Sequence, residues 1–543
     1  MKDVLIIGSG GAGLTAALSA KAKGASVCVV GKSYPSTSQT SMAQGGINAA
    51  LGNVTQDSIS LHIQDTIRSA KGLCDEAMVS KMCTEAPERI AWLERIGVPF
   101  SRLETSLTSA HTSHAHYTHT IAQRQMGGAS SKRACYAQDY TGLKILHTLY
   151  DTCLKEEIEF LDEHYLLNLI THEGAVQGAT FWDIRRGEVI AIHAKSVIIA
   201  TGGYGALYHG YTTNAYGSSG DGIATVLRAG GVLSDMEFVQ FHPTGLKHSC
   251  ILLSESARGE GGYLINTQGE RFIDELKPRD EVARAIFAEL KKGEEVFLDL
   301  RHLGEEKIMH LLPQEVALCK LHENIDPAQS PIPIKPVAHH TMGGIDVDAR
   351  LEVNGIKGCF AVGECANAKV HGANRLGGNA LLEIVAFGKF AGEHATDYAL
   401  SASSQVPDER QVQQDRQEIA SLYAQTPSHN FYTEQVHLGK LFYDTVGIVR
   451  ENSELEATLA KVNTMQEKLT TMGITDKSLS DNSDLIAFLE FRNMLQLAPR
   501  IISSAIQRDE SRGAHYKLGF ESQDDAHFAK HIMIQSSKEP LCK

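Results

Sequence analysis

The chain begins with a short apolar run, Val4 to Ile7, that leads directly into the pattern G-x-G-x-x-G at residues 8–13. An Ala-rich helical stretch, Leu14 to Lys23, follows, and then a second apolar run, Ser26 to Val30. In this strand–turn–helix–strand context the glycines let the backbone approach a pyrophosphate at a helix N-terminus. The sequence therefore predicts a Rossmann-like α/β unit whose cofactor-binding residues are Gly8, Gly10, Gly11, Ala12 and Gly13.

The second strand departs from the usual dinucleotide-binding pattern at its end. It runs into Lys32, where such proteins commonly carry an acidic residue that holds a ribose. Asp221 lies later, in a Ser-Gly-Asp-Gly sequence at the start of a helical stretch. It is either the N-cap of that helix or a ligand of ribose hydroxyls. The vacant acidic position after the second strand favours the ribose interpretation.

Several glycine-rich segments fit the same cofactor. Residues 38–47 are too rich in Gly and Ser for a helix interior and suit a loop in close backbone contact with a flat ligand. Predicted strands end at a Thr-Gly-Gly sequence (201–203) and a Gly-Glu sequence (363–364), and small residues open a long helix near 379. A helix N-terminus suits the electron-rich end of a cofactor ring. The further predicted cofactor-binding residues are Lys32, Thr40, Gln44, Gly45, Gly46, Thr201, Gly202, Asp221, Glu364, Arg375, Asn379, Ala380 and Leu381.

Length and patterning predict several domains. A chain of 543 residues is too long for one simple core, and its hydrophobic content of 42% is that of a globular protein. The alternation of predicted strands and helices stops near residue 235 and resumes after 345. Residues 410–507 have a pattern that predicts helix almost throughout. We predict a dinucleotide-binding domain in two parts (1–234 and 346–400), an inserted α+β domain (235–345), a helical bundle (410–507) and a tail (508–543).

Charge and cysteine usage exclude several classes of protein. A net charge of −14 argues against nucleic acid as a partner, so an anionic substrate would need a local cluster of positive groups. The ten cysteines contain no Cys-x-x-Cys pair, which indicates reduced thiols and no iron–sulfur or zinc site of the usual spacing in this chain. Any such cluster must belong to a partner.

The sequence predicts a cytoplasmic protein. No apolar run reaches about 18 residues, so no transmembrane helix is expected. The first strand starts within the first residues, so we expect no signal peptide before it.

A histidine-rich tract carries His111, His114, His116 and His119. Such tracts can bind metal, but this one lies in a Ser/Thr-rich segment without nearby carboxylates or cysteines. We interpret it as a polar loop and predict no metal site.

The stretch from His242 to Arg284 crowds hydroxyl, carboxylate and guanidinium groups between apolar residues and glycines. One helical turn would place Glu255 and Arg258 side by side. The pair is either a surface salt bridge, which would contribute little to stability, or part of a proton path into a buried site. These residues alone leave both interpretations open.

Taken together, the motifs resemble those of the flavoprotein subunit of the succinate dehydrogenase/fumarate reductase family. The resemblance runs from residue 4 to about residue 530. It rests on the glycine fingerprint and on these segments: Ala43-Gln44-Gly45-Gly46, Gly220-Asp221-Gly222, His242-Pro243-Thr244-Gly245, Glu255-x-x-Arg258-Gly259-Glu260-Gly261, Pro278-Arg279-Asp280, Thr341-Met342-Gly343-Gly344, His371-Gly372-Ala373-Asn374-Arg375 and Ser511-Arg512-Gly513-Ala514-His515. It implies FAD, a Rossmann-like FAD-binding domain interrupted by an α+β capping domain, and a C-terminal helical bundle domain.

The resemblance also implies residue roles in the interconversion of fumarate and succinate. His242, His339 and Arg375 match the residues that hold the carboxylates of this C4 dicarboxylate. Hydride passes between flavin N5 and one substrate carbon. Arg279 matches the arginine that moves the proton of the neighbouring carbon, with Glu255 and Arg258 behind it as a relay. The substrate-binding residues so implied are Ser254, which stands where the family often has Thr, and Leu252, Gln44 and Met126.

One departure from the family concerns the flavin link. Members with covalent FAD have a histidine where this chain has Gln39, and glutamine cannot form that link. We therefore predict non-covalent FAD, and the lower flavin potential that accompanies it favours fumarate reduction. The resemblance further implies an iron–sulfur subunit and a membrane-associated or thiol- or quinone-reactive subunit, which would place the chain at the inner face of the membrane.

L-aspartate oxidase is the alternative within this fold, because it shares several of the motifs. That family has a glutamate before the Gly-Gly turn, where it pairs with the substrate amino group. Here the position is Met126, which cannot do so. A flavin-binding scaffold without its own chemistry is disfavoured, because the residues of the proton path are present.

Overall fold

A computed structural model describes residues 1–103, 120–402, 408–535 and 541–542. The histidine-rich tract at 111–119 lies outside the described residues, so its interpretation stays a prediction. The strands are β1 (Lys2–Ile7), β2 (Val27–Val30), β3 (Ile47–Asn48), β4 (Gln123–Arg124), β5 (Ala134–Cys135), β6 (Glu159–Leu161), β7 (His164–His172), β8 (Ala175–Asp183), β9 (Glu188–Ile199), β10 (Leu233–Ser234), β11 (Val239–Leu246), β12 (Tyr263–Asn266), β13 (Val296–Asp299), β14 (Ile332–Thr341), β15 (Gly344–Asp346), β16 (Cys359–Ala361), β17 (Ala366–Asn367), β18 (Ile532–Ile534) and β19 (Leu541–Cys542).

The helices alternate with these strands up to residue 401 and then follow one another. They are α1 (Gly11–Ala22), α2 (Ile59–Ser69), α3 (Glu76–Ile96), α4 (Thr141–Lys155), α5 (Asp221–Arg228), α6 (Glu255–Gly259), α7 (Arg279–Lys291), α8 (Glu305–Leu311), α9 (Pro313–Glu323), α10 (Asn379–Ser401), α11 (Arg410–Ala424), α12 (Phe431–Thr445), α13 (Asn452–Lys468), α14 (Ser483–Gln507) and α15 (Asp525–Phe528).

The main sheet has the strand order β6-β2-β1-β9-β8-β7, and β16 also pairs with β9. β1 is parallel to β2 and to β9, as expected for a Rossmann-like unit. The strand–turn–helix–strand prediction for the first thirty residues is confirmed. A Cβ atom at Gly13 would lie 1.9 Å from the carbonyl oxygen of Gly8, so only glycine lets α1 pack this closely on the turn.

The sequence from Phe160 to Tyr165 predicts one strand, and this prediction is wrong, because the structure has two strands there. β6 ends at Leu161 and β7 begins at His164. Glu163 between them has a φ of 61°, in the left-handed region. β6 pairs in parallel with β2, whereas β7 pairs antiparallel with β8, so the chain changes partner at this turn.

Residues 235–345, which we name the capping segment, form a second sheet of order β11-β14-β13-β12 with α6 to α9. Its apolar side chains make a hydrophobic cluster of their own, which includes Leu246, Leu264, Ile286 and Leu298. This cluster is separate from the one that covers the main sheet. Its division from the rest of the chain as a domain stays a prediction.

The C-terminal part is helical, as predicted. α12, α13 and α14 pack on one another, whereas α11 packs on β7, β8 and β9. Beyond α14 the tail packs against an earlier part of the chain, because β18 pairs antiparallel with β10. In the described part of the chain, no helix combines the length and apolar character that crossing a membrane requires.

Candidate active site

A deep cavity of about 1760 Å³, including its mouth, extends between the main sheet and the capping segment. It brings together most of the residues predicted from the sequence. Its lining includes Gly8, Gly10, Gly11, Ala12, Lys32, Thr40, Gln44, Gly45, Gly46, Met126, Thr201, Gly202, Asp221, His242, Leu252, Ser254, Glu255, Arg279, His339, Glu364, Arg375, Ala380 and Leu381.

Gly13, Asn379 and Arg258 were also predicted for the site but do not line the cavity. Gly13 lies at the packing contact between α1 and β1. The Asn379 side chain is turned away from the cavity and accepts a hydrogen bond from Asn48 at 2.8 Å. Arg258 contacts Glu255 but does not itself reach the cavity.

One end of the cavity fits the phosphates of a dinucleotide. α1 begins after Gly10 with no side-chain cap and no acidic residue in its first turn. α10 begins in the same way after Gly378. Thr40 accepts a hydrogen bond from the backbone N–H of Gly11 at 3.1 Å, which holds the 38–47 loop against the turn. Uncapped N–H groups at a helix start are the donors that bind phosphate oxygens.

The Asp221 carboxylate is buried in a network of its own. α5 begins at Asp221 with Gly220 as the N-cap, so the N-cap interpretation of Asp221 is wrong. Its two oxygens accept hydrogen bonds from Lys32, Tyr165 and Asn493 at 2.6 to 2.9 Å. Burial opposes its charged form, but the Lys32 ammonium outweighs this and holds the pKa of Asp221 below its usual value. A contact with ribose stays a prediction.

Two histidines, a buried His242 and a partly buried His339, face each other at the other end of the cavity. His242 comes from β11 and His339 from the neighbouring β14, with ring centroids 5.0 Å apart. Burial, reinforced by the Arg279 charge, holds the pKa of both imidazoles well below the usual value, so both are neutral at pH 7. The backbone N–H of Thr244 donates to Nδ1 of His242 at 3.3 Å, which leaves Nε2 as the donor of that ring.

Arg279, Glu255 and Arg258 form a continuous buried chain of charges. Nε and Nη2 of Arg279 donate to one oxygen of Glu255 at 2.9 and 2.6 Å. Nη2 of Arg258 lies 3.4 Å from the other oxygen. Burial opposes the charge on Glu255, but the two guanidinium groups outweigh it and hold its pKa below the usual value. The surface salt-bridge interpretation of this pair is wrong, because the Glu255 and Arg258 side chains are fully buried.

Arg375 is a buried cation with no carboxylate in direct contact among the residues that the structure describes. No ion pair joins it to a carboxylate within the described ranges, and its Nε there lacks a hydrogen-bond partner. Burial and the nearby Arg279 charge lower the pKa of Arg375 to about 9. A buried charge of this kind is costly unless an anion pairs with it. The cavity therefore presents a strong anion-binding group at its floor.

Gln240 is a site residue that the sequence reasoning missed. Its Oε1 accepts from Nη1 of Arg279 at 3.1 Å, and its Nε2 donates to the carbonyl oxygen of Arg375 at 2.9 Å. It thus connects the two arginines. Its position in the sequence could have indicated this role. Gln240 lies two residues before His242, and alternate residues of a strand share a face.

The remaining predicted substrate-binding residues shape the space between these charges. Ser254 begins α6 and accepts from the backbone N–H of Ser256 at 3.1 Å. Met126 is buried against Gly45, where a Cβ atom would lie 2.7 Å from the Met126 methyl group. Gln44 is buried, and its side-chain oxygen has no hydrogen-bond partner in the part of the chain described here. These contacts narrow the cavity beside the arginines.

Comparison with family models identifies the cofactor class. A model described as "FAD binding domain" matches residues 3–381, and one described as "Fumarate reductase flavoprotein C-term" matches residues 435–542. The first covers the glycine turn, the cavity and the capping segment. The protein is therefore an FAD-dependent oxidoreductase.

Individual relatives cover nearly the whole chain. The chain is 39% identical to the 8-methylmenaquinol:fumarate reductase flavoprotein subunit of Wolinella succinogenes, over 98% of this chain and 88% of the relative. It is 38% identical to the succinate dehydrogenase flavoprotein subunit of Coxiella burnetii, over 98% and 94%. A solved variant of the FrdA subunit of Escherichia coli quinol fumarate reductase matches with a TM-score of 0.93 and 36% identity, over 100% of this chain and 95% of that one. The chain belongs to the fumarate reductase/succinate dehydrogenase flavoprotein subunit family.

Proposed function

We propose that this protein interconverts fumarate and succinate as the catalytic subunit of a multi-subunit complex, with fumarate reduction as the favoured direction. The unpaired Arg375 at the floor of a cavity that also holds Arg279, His242 and His339 carries the proposal. A small dianion supplies the negative charge that Arg375 lacks among the described residues and accepts hydrogen bonds from the other three groups.

The binding step follows from the protonation states. Arg375 offers a planar fork that matches a carboxylate in bidentate fashion. The two neutral histidines each donate from a ring N–H without adding charge, so a C4 dicarboxylate meets donors at both ends. Ser254 adds a hydroxyl at the same cavity wall. This arrangement holds the carbon–carbon bond of the substrate in a single orientation.

The proton step uses the buried chain of charges. When bound, FAD supplies or accepts the hydride, and the protein moves the matching proton. An arginine is a weak acid, with a pKa above about 12 in water. It can act here because the Glu255 carboxylate, hydrogen-bonded to two nitrogens of Arg279, takes a proton from Arg258 and passes one to Arg279 as Arg279 donates. Arg258 is the next carrier outward, so neutral arginine never accumulates.

An assay pair separates the proposal from its rival. We expect reduced viologen to drive fumarate reduction by the purified protein, with no hydrogen peroxide formed from L-aspartate. The reason is that Met126 stands buried at the cavity, where the aspartate oxidase family has a carboxylate for the amino group. Peroxide formation with L-aspartate, in the absence of fumarate reduction, would overturn the assignment.

We further propose that FAD is bound without a covalent link. The amide of Gln39 accepts a hydrogen bond from the backbone N–H of Ala215 at 3.0 Å and has no nucleophilic ring nitrogen. A covalent link tends to raise the flavin potential, and about 30 mV in a two-electron couple corresponds to about 1.4 kcal/mol. The non-covalent state therefore favours fumarate reduction.

Acid or heat denaturation is expected to release all of the flavin into solution. Gel electrophoresis of the denatured protein, viewed by flavin fluorescence, measures this directly. Fluorescence that migrates with the polypeptide would contradict non-covalent binding. The released compound should be identified as FAD by chromatography against an FMN standard.

We propose an iron–sulfur subunit as the electron-carrying partner, together with a membrane-associated or thiol- or quinone-reactive subunit. The sequence has no Cys-x-x-Cys pair, so an electron path through clusters requires another chain. The Wolinella relative is named as an enzyme that uses a menaquinol, which supports a quinone-reactive partner; a peripheral location of this chain at the inner face of the membrane is part of the proposal. Co-purification with an iron-containing polypeptide tests this arrangement.

A further inference from the structure

Glu315 is a buried carboxyl group that the proposed proton path does not use. It lies in the first turn of α9, in the capping segment, and is 1% exposed. Its Oε1 accepts a hydrogen bond from the backbone N–H of Ser254 at 2.8 Å. Its Oε2 is buried and has no hydrogen-bond partner among the residues that the structure describes. Buried polar atoms are usually hydrogen-bonded, so a buried carboxyl group with one bonded and one unpaired oxygen needs a specific explanation.

The used oxygen holds the start of the helix that carries the proton relay. Ser254 is the N-cap of α6, and Glu255 and Arg258 lie within its five residues. A helix this short has little stability of its own, so its position depends on such anchors. Loss of the Glu315 acceptor would leave the N–H of Ser254 buried and unpaired.

Glu315 is also tied to the cofactor-binding part of the chain. Asp139, just before α4, accepts from the backbone N–H groups of Gln314 and Glu315 at 2.7 and 3.2 Å. Two residues further on, Thr141 donates to the carbonyl oxygen of Gln44, which lines the cavity. The first turn of α9 thus connects the loop beside the cavity with the start of α6.

The charges around Glu315 favour its protonated form. Asp139 and Arg124 face it from the cofactor-binding part, and Cys319 lies one turn along α9. Burial, with the Asp139 charge beside it, raises the pKa of Glu315 to about 8. At neutral pH the group is therefore a neutral acid, which accepts from Ser254 while its other oxygen can donate. Asp139 Oδ1 is also buried without a hydrogen-bond partner in the described segments.

We propose that Glu315 is a positioning residue for this reaction: its side chain, through the backbone N–H of Ser254, fixes the helix that carries Glu255, while the backbone N–H groups of Gln314 and Glu315 hold the first turn of α9 on Asp139. The inference rests on the proposed function for its kinetic consequences, whereas its structural consequence is independent of the substrate. In physical terms, the Glu315 side chain sets the position of the proton relay from a helix turn that Asp139 holds against the cofactor-binding part.

The test compares Glu315→Leu, Glu315→Gln and the control Glu323→Leu in the purified FAD-loaded protein. Glu323 ends the same helix and accepts from the backbone N–H groups of His248 and Ser249 at 3.2 and 3.3 Å. Glu323→Leu therefore also removes a carboxylate that accepts hydrogen bonds from backbone N–H groups, but at the end of α9 that is away from Ser254. For Glu315→Leu we expect KM for fumarate to rise about tenfold and kcat to fall about tenfold, because the buried N–H of Ser254 loses its acceptor and the helix it starts carries Glu255.

Glu315→Gln keeps a carbonyl oxygen for Ser254 and cannot ionise. We expect it to retain wild-type KM and kcat at pH 7 within about threefold. Wild-type kcat/KM should fall above about pH 8, as ionised Glu315 repels Asp139, and this limb should move to higher pH in Glu315→Gln. If Glu315→Leu does not accumulate with FAD, this pH profile decides the question.

Amide hydrogen exchange of peptides that cover residues 252–260 gives the structural readout. Exchange should be faster in Glu315→Leu than in the wild type and unchanged in Glu323→Leu. Equal behaviour of Glu315→Leu and Glu323→Leu in exchange and in kinetics overturns the inference. A wild-type protein that does not reduce fumarate contradicts the proposed function instead, and the exchange result then still tests the role of Glu315.

Discussion

Replacing Arg279 with alanine is expected to lower fumarate reduction by about two to four orders of magnitude, the usual contribution of a positioned general acid. The proton donor of the chain is then missing, while Glu255 and Arg258 remain buried behind the cavity. The side chain donates to Glu255 and Gln240. FAD content should be unchanged, because the side chain of Arg279 contacts the capping segment.

Steady-state reduction of fumarate with a viologen donor measures this effect, with flavin absorbance as the measure of loading. Arg284→Ala is the matched control, since Arg284 lies five residues further along α7 and pairs with Asp280 at 3.0 Å. The control should keep near-wild-type kcat. Turnover of Arg279→Ala within about tenfold of the wild type would remove Arg279 from the proton path.

Replacing Arg375 with methionine is expected to separate substrate binding from stability. The substitution removes the anion-binding fork, so kcat/KM should fall by about thirtyfold to a few thousandfold, the range for loss of one partner of a buried charge pair. The same change removes a charge whose burial has lowered its pKa to about 9. The free protein should therefore become more stable, with a Tm raised by about 1–3 °C.

Thermal unfolding with and without succinate tests both halves of this prediction. Succinate should raise the Tm of the wild-type protein through binding to the folded state and should leave that of Arg375→Met unchanged. Arg133→Met is an informative contrast, because Arg133 is buried between Asp57 and Asp65 at 3.0 and 2.9 Å. That variant should lose stability yet retain the succinate-dependent shift. A succinate-dependent rise in Arg375→Met would contradict the role of Arg375.

Much of the fold followed from local patterns. The turn at residues 8–13 was predictable because its glycines and apolar flanks lie within about thirty residues. The helical character of residues 410–507 was readable for the same reason. The strand break at Glu163 was not, because an apolar run does not report which partner strand each half will join. Three-dimensional pairing with β2 on one side and β8 on the other decides that point.

Most of the candidate site was also predictable, through motifs that resemble a known family. What motifs left open were the relations between residues far apart in the chain. Gln240 meets Arg279 across 39 positions, and Glu315 meets Ser254 across 61. Neither pair has a spacing that a local pattern could reveal.

The sequence by itself determined the dinucleotide-binding unit, the chemical types of the catalytic groups and the absence of a histidine at the position of Gln39. These properties depend on residue identity and short-range spacing. Only the tertiary structure decided that Glu255 and Arg258 are buried rather than exposed, that the two site histidines are neutral and that Arg375 lacks a counter-ion in the described chain. The physical reason is that desolvation and long-range pairing set charge states, and both arise only when distant segments pack together.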